Sequence, residues 1–529
     1  MLHTARATGG MVVAPHHLAA QAGQRVLRDG GNAIEAMVAA AATIAVVYPH
    51  MNGLGGDNFW LIHDGAGAPI AIDACGAAAA AADINFYDDR GHDAIPARGP
   101  LASNTVGGAV SGWQAALAVS APWGGSMPLS RLLEDAVFYA REGIAVTRSQ
   151  HANTAAKRAE LMDVPGFADS FLDVGAVPAV GSLFRQPRLA RSLEHLGCAG
   201  LDDFYRGELA RSMAAELERL GSPLRADDLA NHRARKVTPL SVTLDAGTVY
   251  NLPPPTQGLA SLLTLAVFER LGCREAEGFD YVHGLVEASK RAFRVRDAHV
   301  TDPAYMDVDA GSFLDAAALD AMAAEIDAKK ALPWGAAASG GDTVWLGAID
   351  REGRAVSFIQ SIYWEFGSGV VLGDSGVIWQ NRGTSFSLDA GALNALRPGR
   401  KPFHTIQTAL AALADGRVMV YGTMGGEGQP QTQAALYTRH VTYGQELQAA
   451  VTAPRWLLGR TWGAPTANLR IESRFAPAVI DALAAAGHDL EVVGAFDEVM
   501  GHAGALVRHP SGVIEGAADP RGDGIAAGF

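Results

Sequence analysis

The sequence predicts an α+β protein in which β-sheets pack between helical layers. Three observations carry that prediction. Apolar residues recur at helical spacing over about 16–47, 112–142, 187–220 and 257–325, whereas strand-like runs fill about 55–73 and 343–380. After residue 400, strands near 405–423 and 503–517 flank helical stretches near 429–450 and 475–487. Segregated helices and strands within one chain call for sheets covered by helical layers. Finally, no internal repeat and no long charged or Ser/Pro-rich linker divides the 529 residues, although length alone would admit two or three domains.

The first helical stretch divides at Gly30-Gly31, which closes a helix whose apolar positions Leu18, Ala22 and Val26 recur every four residues. Asn32 then opens a second helix, with Glu35 three residues on as the other half of a capping box. The run 33–47 is almost wholly apolar, yet it carries Glu35 and stops before Pro49. It is too short to cross a bilayer and reads as a buried helix. Gly53-Leu-Gly55-Gly56-Asp57 follows this helix and precedes a strand. That order is the reverse of a dinucleotide-binding loop. His16-His17, with Asp302 and Asp307, has no metal-site spacing and suits solvated or capping roles.

Residues 344–349 and 355–362 are rich in β-branched and aromatic side chains, and Asp350-Arg-Glu-Gly-Arg354 between them is turn chemistry. A turn centred on Glu352 pairs 349 with 355, 345 with 359 and 343 with 361. Thr343 then faces Ser361 with Cβ atoms about 5 Å apart, close enough for a positioning hydrogen bond between hydroxyls. Before Thr343 lies 328–342, the least ordered-looking stretch, with Lys329-Lys330, Pro333-Trp-Gly and Ser339-Gly-Gly. A small-residue segment running into a Thr suits a chain that cuts itself between Asp342 and Thr343. The new N-terminal Thr would carry its own base, an α-amine with a pKa of roughly 7.7–8.0.

Hydrophobic content of 49% with 19% charged residues describes a globular protein with a large core. The net charge of −14 argues against nucleic-acid and anionic-membrane partners. Cys75, Cys198 and Cys273 fit neither a disulfide framework nor a zinc site. The N-terminal residues lack the apolar core of a secretory signal, which gives a cytoplasmic location as the expectation.

Three polar constellations remain. Gly422-Thr-Met-Gly425-Gly426-Glu-Gly428 follows an apolar strand, and a glycine pair there can aim two N–H groups at one spot, as an oxyanion hole demands. No Gly-Lys-Ser/Thr follows, so it is not a phosphate-binding Walker loop. Asn381-Arg382-Gly-Thr384-Ser385 and Arg400-Lys401-Pro402-Phe403-His404-Thr405 read either as polar loops or as a pocket rim with a guanidinium fit for a carboxylate.

Together and in this order, these motifs resemble the γ-glutamyltransferase family of N-terminal-nucleophile hydrolases. The resemblance also takes in Leu27 to Ala36, Asn52 to Asp57, Leu101 to Gly112, Leu252 to Gly258 and Ala518-Asp519-Pro520-Arg521. It implies a four-layer αββα sandwich built from a large chain, 1–342, and a small chain, 343–529, cut from one precursor. By resemblance, Thr343 is the nucleophile, Ser361 the second hydroxyl, and Gly425 and Gly426 the oxyanion glycines, with no metal or organic cofactor.

The glutamate-recognition positions depart from the family pattern. The stretch 72–89, where the family's carboxylate-binding Arg falls, has no Arg. Tyr363, Arg382, Ser385, His404 and Thr405 stand at the other substrate-binding positions. A site that loses an acid and gains an Arg attracts an anion rather than an ammonium. The pattern is closer to the amidohydrolase and acylase branches, including oxamate amidohydrolase-like and cephalosporin (glutaryl) acylase-like enzymes. Expected partners are a small-molecule amide and the two chains themselves, with a homodimer of the processed unit left open. A γ-glutamyltransferase or glutathione hydrolase proper, and a relative that never processes, remain as alternatives.

Overall fold

The computed structural model describes residues 3–335, 342–459 and 468–529, Asp342 by its backbone alone. The part of the loosely patterned stretch at 336–341 lies outside the described residues. Two seven-stranded antiparallel sheets stack face to face. One runs edge to edge through Ile525–Gly528, Gly10–Ala14, Asp342–Asp350, Ala355–Tyr363, Asp57–His63, Ile70–Ala74 and Arg235–Val237. The other runs through Ala5–Ala7, Ile514–Ala518, Ala503–Arg508, Val418–Thr423, Ala409–Leu413, Gly247–Asn251 and Leu240–Leu244. Helices His17–Arg28, Ala33–Val47 and Ala109–Ser120 cover the outer face of the first sheet, and Gly258–Arg270, Phe279–His299 and Gly428–Tyr437 cover that of the second. This is the four-layer αββα arrangement that the resemblance implies.

Local signals behave as the sequence predicts. The Asn32 carboxamide accepts from the N–H groups of Ile34 and Glu35, and Glu35 Oε2 accepts from Asn32 N at 2.9 Å, completing the capping box. Every residue of the helix Ala33–Val47 is buried. His16 caps the preceding helix through Nδ1 at 3.2 Å from Leu18 N, a capping role and not a metal-binding one.

One reading is corrected. Residues 364–380 form no strand; they make only isolated bridges, Val371 with Ile378 and Trp379 with Gly55. Gly367, Gly369 and Gly376 have φ of +55°, +77° and +71°, which turn the chain where an extended run would continue.

The interior between the sheets holds the piece that sets their spacing. Trp345 lies flat against glycines of the facing sheet: a Cβ on Gly422 would fall 2.1 Å from Trp345 Cδ1, and one on Gly504 would fall 2.5 Å from Cζ3. The indole N–H donates to Ser357 Oγ at 3.1 Å and Thr408 Oγ1 at 2.9 Å. Trp345 faces Gly422, and Gly347 lies closest to Val420 on that strand. The two strands therefore run in opposite directions across the interior. Two residues back from Trp345, Thr343 comes level with the turn that begins at Met424.

Gly422→Ala should accordingly destabilise the protein by about 1–3 kcal/mol, the usual cost of overpacking a tight core. Combining it with Trp345→Leu should cost less than the sum of the two single changes. Additive melting-temperature losses would contradict this account of the wedge.

Candidate active site

Thr343 is completely buried near the start of the strand Asp342–Asp350. The predicted hairpin register holds for 349 with 355 and 345 with 359, and Gly353 turns the chain at φ +86°. At Thr343 the ladder slips: Val344 pairs with Gln360 but Asp342 pairs with Tyr363, so Thr343 faces both Ser361 and Ile362. The expected hydrogen bond between the two hydroxyls is therefore not made. Ser361 Oγ instead accepts from Tyr363 N at 2.8 Å, and Thr343 Oγ1 has no hydrogen-bond partner among the described residues. The extra residue on the second strand is the physical reason for this difference.

The slip also shapes the anion site. Tyr363 takes φ +81°, rare for an aromatic residue, and its ring lies 3.8 Å beneath the Arg382 guanidinium. Arg382 is buried. Its Nη1 donates to Thr405 Oγ1 at 3.3 Å, while Nε and Nη2 have no partner. Burial lowers its pKa to about 10, partly offset by Tyr363 and Asp57. Arg382 makes no ion pair with Asp374. Ser385 Oγ is turned onto the carbonyls of Arg382 and Phe403, at 3.0 and 3.1 Å, and ties down the turn that carries Arg382.

His404 is buried with both ring nitrogens unpartnered and its ring edge-on to Phe59. Burial, then Arg382 and Lys401, hold its pKa well below the usual imidazole range, so it is neutral at physiological pH.

The sequence reading missed Asp57. It pairs with Ser361 across the neighbouring strand, so Thr343, Ser361 and Asp57 lie side by side on three adjacent strands. Asp57 Oδ1 accepts from Gly76 N at 2.9 Å and Gly108 N at 3.0 Å, whereas Oδ2 is buried without a hydrogen bond and lies 3.6 Å from His404 Nε2. Because His404 is neutral, that contact is not an ion pair. Burial raises the Asp57 pKa to about 7, against the lowering effects of its two N–H partners, Arg382 and the nearby Gln380 carboxamide. The available signal was an acid opening an otherwise largely apolar strand, Asp57–His63. A cavity of about 610 Å³ shares Cys75 and Val106 with the back of this site: Cys75 lies in the fields of both Asp57 and Arg382, and Val106 O accepts from Gln380 Nε2.

Gly425 and Gly426 follow the strand Val418–Thr423 with φ +113° and +53°, just before the helix Gly428–Tyr437. Neither glycine N–H is committed to an acceptor among the described residues. Two N–H groups free at a helix N-terminus suit an oxyanion. The turn is held from behind: Gln257 Nε2 donates to Gly426 O at 2.8 Å and to Thr405 O at 2.5 Å. Arg296 in turn holds Gln257 Oε1 at 2.9 Å and Glu427 Oε1 at 2.7 Å. Gln257, which follows Pro253-Pro254-Pro255, thus joins the Gly425-Gly426 turn to the segment that carries Thr405.

Among the described residues, one buried trio is close enough to share a metal: His283, Glu287 and His488. Lys290 and Arg291 already neutralise Glu287 at 2.7 and 2.5 Å, and the two imidazoles bond to each other at 2.9 Å. That leaves no net negative charge for a cation.

A buried threonine at the head of a central strand in an αββα sandwich, with an oxyanion turn level with it, defines an N-terminal-nucleophile hydrolase. The chain belongs to the Gamma-glutamyltranspeptidase family, whose sequence profile matches residues 19–529. It is 56% identical to the oxamate amidohydrolase proenzyme of Klebsiella pneumoniae, over 99% of each chain. It is 42% identical to the glutathione hydrolase-like YwrD proenzyme of Bacillus subtilis, again over 99% of each. The crystal structure of cephalosporin acylase from Bacillus halodurans superposes with a TM-score of 0.91 at 32% identity, covering 100% of this chain and 97% of that one.

Removing the Ser361 hydroxyl takes the acceptor from the Tyr363 N–H. Ser361→Ala should therefore cost about 0.5–1.5 kcal/mol, the net worth of one hydrogen bond, while Ser361→Thr should restore most of it. Chemical denaturation of both variants checks this; equal stability of Ser361→Ala and wild type would refute the assignment.

Proposed function

We propose that this protein is an autoprocessing amidohydrolase that cleaves a small amide bearing a carboxylate close to the scissile bond, of the oxamate or glutaryl type. The observation that carries the reading is Arg382. A buried guanidinium with two unpartnered nitrogens and no ion pair among the described residues is a charge held for a ligand. Similarity to the oxamate amidohydrolase proenzyme and to cephalosporin acylase supports the same class.

Cleavage between Asp342 and Thr343 would proceed by attack of the Thr343 hydroxyl on the preceding carbonyl and an N→O acyl shift that frees the Thr343 α-amine; water then hydrolyses the resulting ester, restoring the hydroxyl and leaving chains 1–342, ending in the Asp342 carboxylate, and 343–529. In turnover, Thr343 Oγ1 attacks the substrate amide while its α-amine takes the proton. Gly425 and Gly426 N–H groups hold the oxyanion, and the amine leaves with the proton. Water then releases the acid from the acyl-threonine. Arg382, backed by Tyr363 and flanked by His404 and Thr405, takes the substrate carboxylate. Ser385 acts through the Arg382 turn. Three unpaired cysteines support a reducing, cytoplasmic setting; among the described residues no helix is long and apolar enough to cross a membrane.

A γ-glutamyl donor is the second reading, favoured by one observation: an ionised Asp57 beside Arg382 would offer a partner for an α-ammonium.

Two experiments test these assignments. Purified protein should run as two bands with Thr343 at the new N-terminus, and Thr343→Ala should abolish both processing and turnover; a single intact band from active protein would overturn the nucleophile. A panel of oxamate, succinyl, glutaryl and γ-glutamyl amides should show Arg382→Ala losing kcat/KM for the anionic amides by about one to three kcal/mol, the value of a charge-assisted hydrogen bond. A strong preference for γ-glutamyl donors that survives Arg382→Ala would favour the second reading.

A further inference from the structure

We propose that Asp57 is a specificity-determining proton acceptor: when a carboxylate settles on Arg382, Asp57 takes a proton from solvent onto Oδ2, so that the closed site remains neutral and the new O–H can donate to the ligand. The proposal rests on the reading of Arg382 as the carboxylate anchor.

Geometry singles out Oδ2. Oδ1 is fixed by the N–H groups of Gly76 and Gly108, while Oδ2 is buried, unbonded and 3.6 Å from an imidazole nitrogen that is itself unpartnered. Glycine is needed at both donors. A Cβ at Gly76 would fall 1.7 Å from Val106 O, and one at Gly108 would fall 1.9 Å from Ala74 O. The backbone is thus pressed onto one oxygen of this carboxyl and leaves the other open.

The surrounding charges make a simple ledger. Arg382 contributes one positive charge, and an ionised Asp57 contributes one negative. His404 is neutral, because burial holds its pKa far down. Lys401 and Asp73 cancel each other at 2.5 Å. The Cys75 thiol and the Tyr205 phenol, both in the field of Asp57, stay protonated because burial raises their pKa values. Adding an anionic ligand leaves one uncompensated negative charge in a buried site unless a proton enters, and Asp57 is the group whose pKa, raised by burial to about 7, lets it accept one near neutrality. The complex then holds more protons than the free site, so affinity for anions falls as pH rises through about 7. The Thr343 α-amine of the processed enzyme, with a pKa of roughly 7.7–8.0, titrates in an overlapping window and acts in the same direction. A variant is therefore needed to separate the two.

The probe is oxalate, which has the carboxylate but no scissile C–N bond and is a dianion from about pH 6 to about pH 9, so it demands the proton at least as strongly as a singly charged ligand does. Its competitive inhibition constant on processed wild-type enzyme should weaken by up to about tenfold per pH unit above about 7. Asp57→Asn keeps the acceptor for Gly76 and Gly108 but cannot take the proton, so it should show only the shallower dependence left by the α-amine. Equal slopes in the two proteins would overturn the proposal. If Asp57→Asn fails to process, calorimetry on wild type is done at about pH 7, where an α-amine with a pKa of roughly 7.7–8.0 is already mostly protonated and Asp57 is about half ionised. Titrating oxalate there in two buffers of different ionisation heat should show uptake of about half a proton, and uptake no larger than the α-amine's small remaining fraction would overturn the proposal. Competitive binding without uptake removes only this inference. Absence of competitive binding, or binding unaffected by Arg382→Ala, removes the anchor reading beneath it.

Discussion

The contact on which the rest of the site depends is the flat packing of Trp345 against Gly422 and Gly504 between the two sheets. Thr343 belongs to one sheet and the oxyanion turn to the other, and no covalent bond fixes the distance between them. The indole does so. It meets bare backbone on the opposing sheet, so the sheets approach as closely as an aromatic thickness allows. Its N–H is tied to Ser357 on its own sheet and to Thr408, on the segment entering the other. Two residues from the wedge, Thr343 inherits its precision.

Buried charge is handled in two contrasting ways. Around Asp519 and Glu472 it is paired in short ion pairs. Arg455 meets Asp519 at 2.6 Å and Arg521 meets Glu472 at 2.7 Å, and these account for the Ala518-Asp519-Pro520-Arg521 motif as a structural lock. Around Arg382 the pairing is left incomplete, with open valences on Arg382, Asp57 and His404. Unpaired buried polar atoms are costly. Arg382, Asp57 and His404 share that incompleteness with one another, Asp57 lying 3.6 Å from His404.

What could be read from the sequence was what local chemistry fixes. The capping box at Asn32, the turn at Gly353 and most of the hairpin register depend on residues a few positions apart, and each stands as read. The strands Gly10–Ala14, Leu240–Leu244 and Ile525–Gly528 escaped notice because their partners lie far along the chain: Gly10–Ala14 pairs with residues near 347 and near 526. The bulge opposite Thr343 was invisible for a related reason, since Tyr363 reaches positive φ through its stack on Arg382, a contact from another loop. Asp57 was passed over because its loop was weighed as a nucleotide site and as a motif of the family, and its neighbours Gly76, Gly108 and His404 lie far along the chain. The absence of Arg from 72–89 also gains a meaning. The Arg382 guanidinium, from the other half of the chain, sits in the field of Cys75, within that very stretch.

The first sheet interleaves its strands. The strand Asp342–Asp350 lies between Gly10–Ala14 and Ala355–Tyr363, and the latter is hydrogen-bonded in turn to Asp57–His63. A chain severed before Thr343 therefore yields two polypeptides woven through one sheet, neither of which retains a complete hydrophobic face alone. Separation would require melting the sheet, and reassembly would become a second-order encounter whose rate falls with dilution. The uncut chain meets its partner strands by folding on itself; the cut one would have to find them in solution. Maturation would thus exchange thermodynamic reversibility for persistence, with the enzyme surviving through the height of its unfolding barrier and with no ready route back once that barrier is crossed.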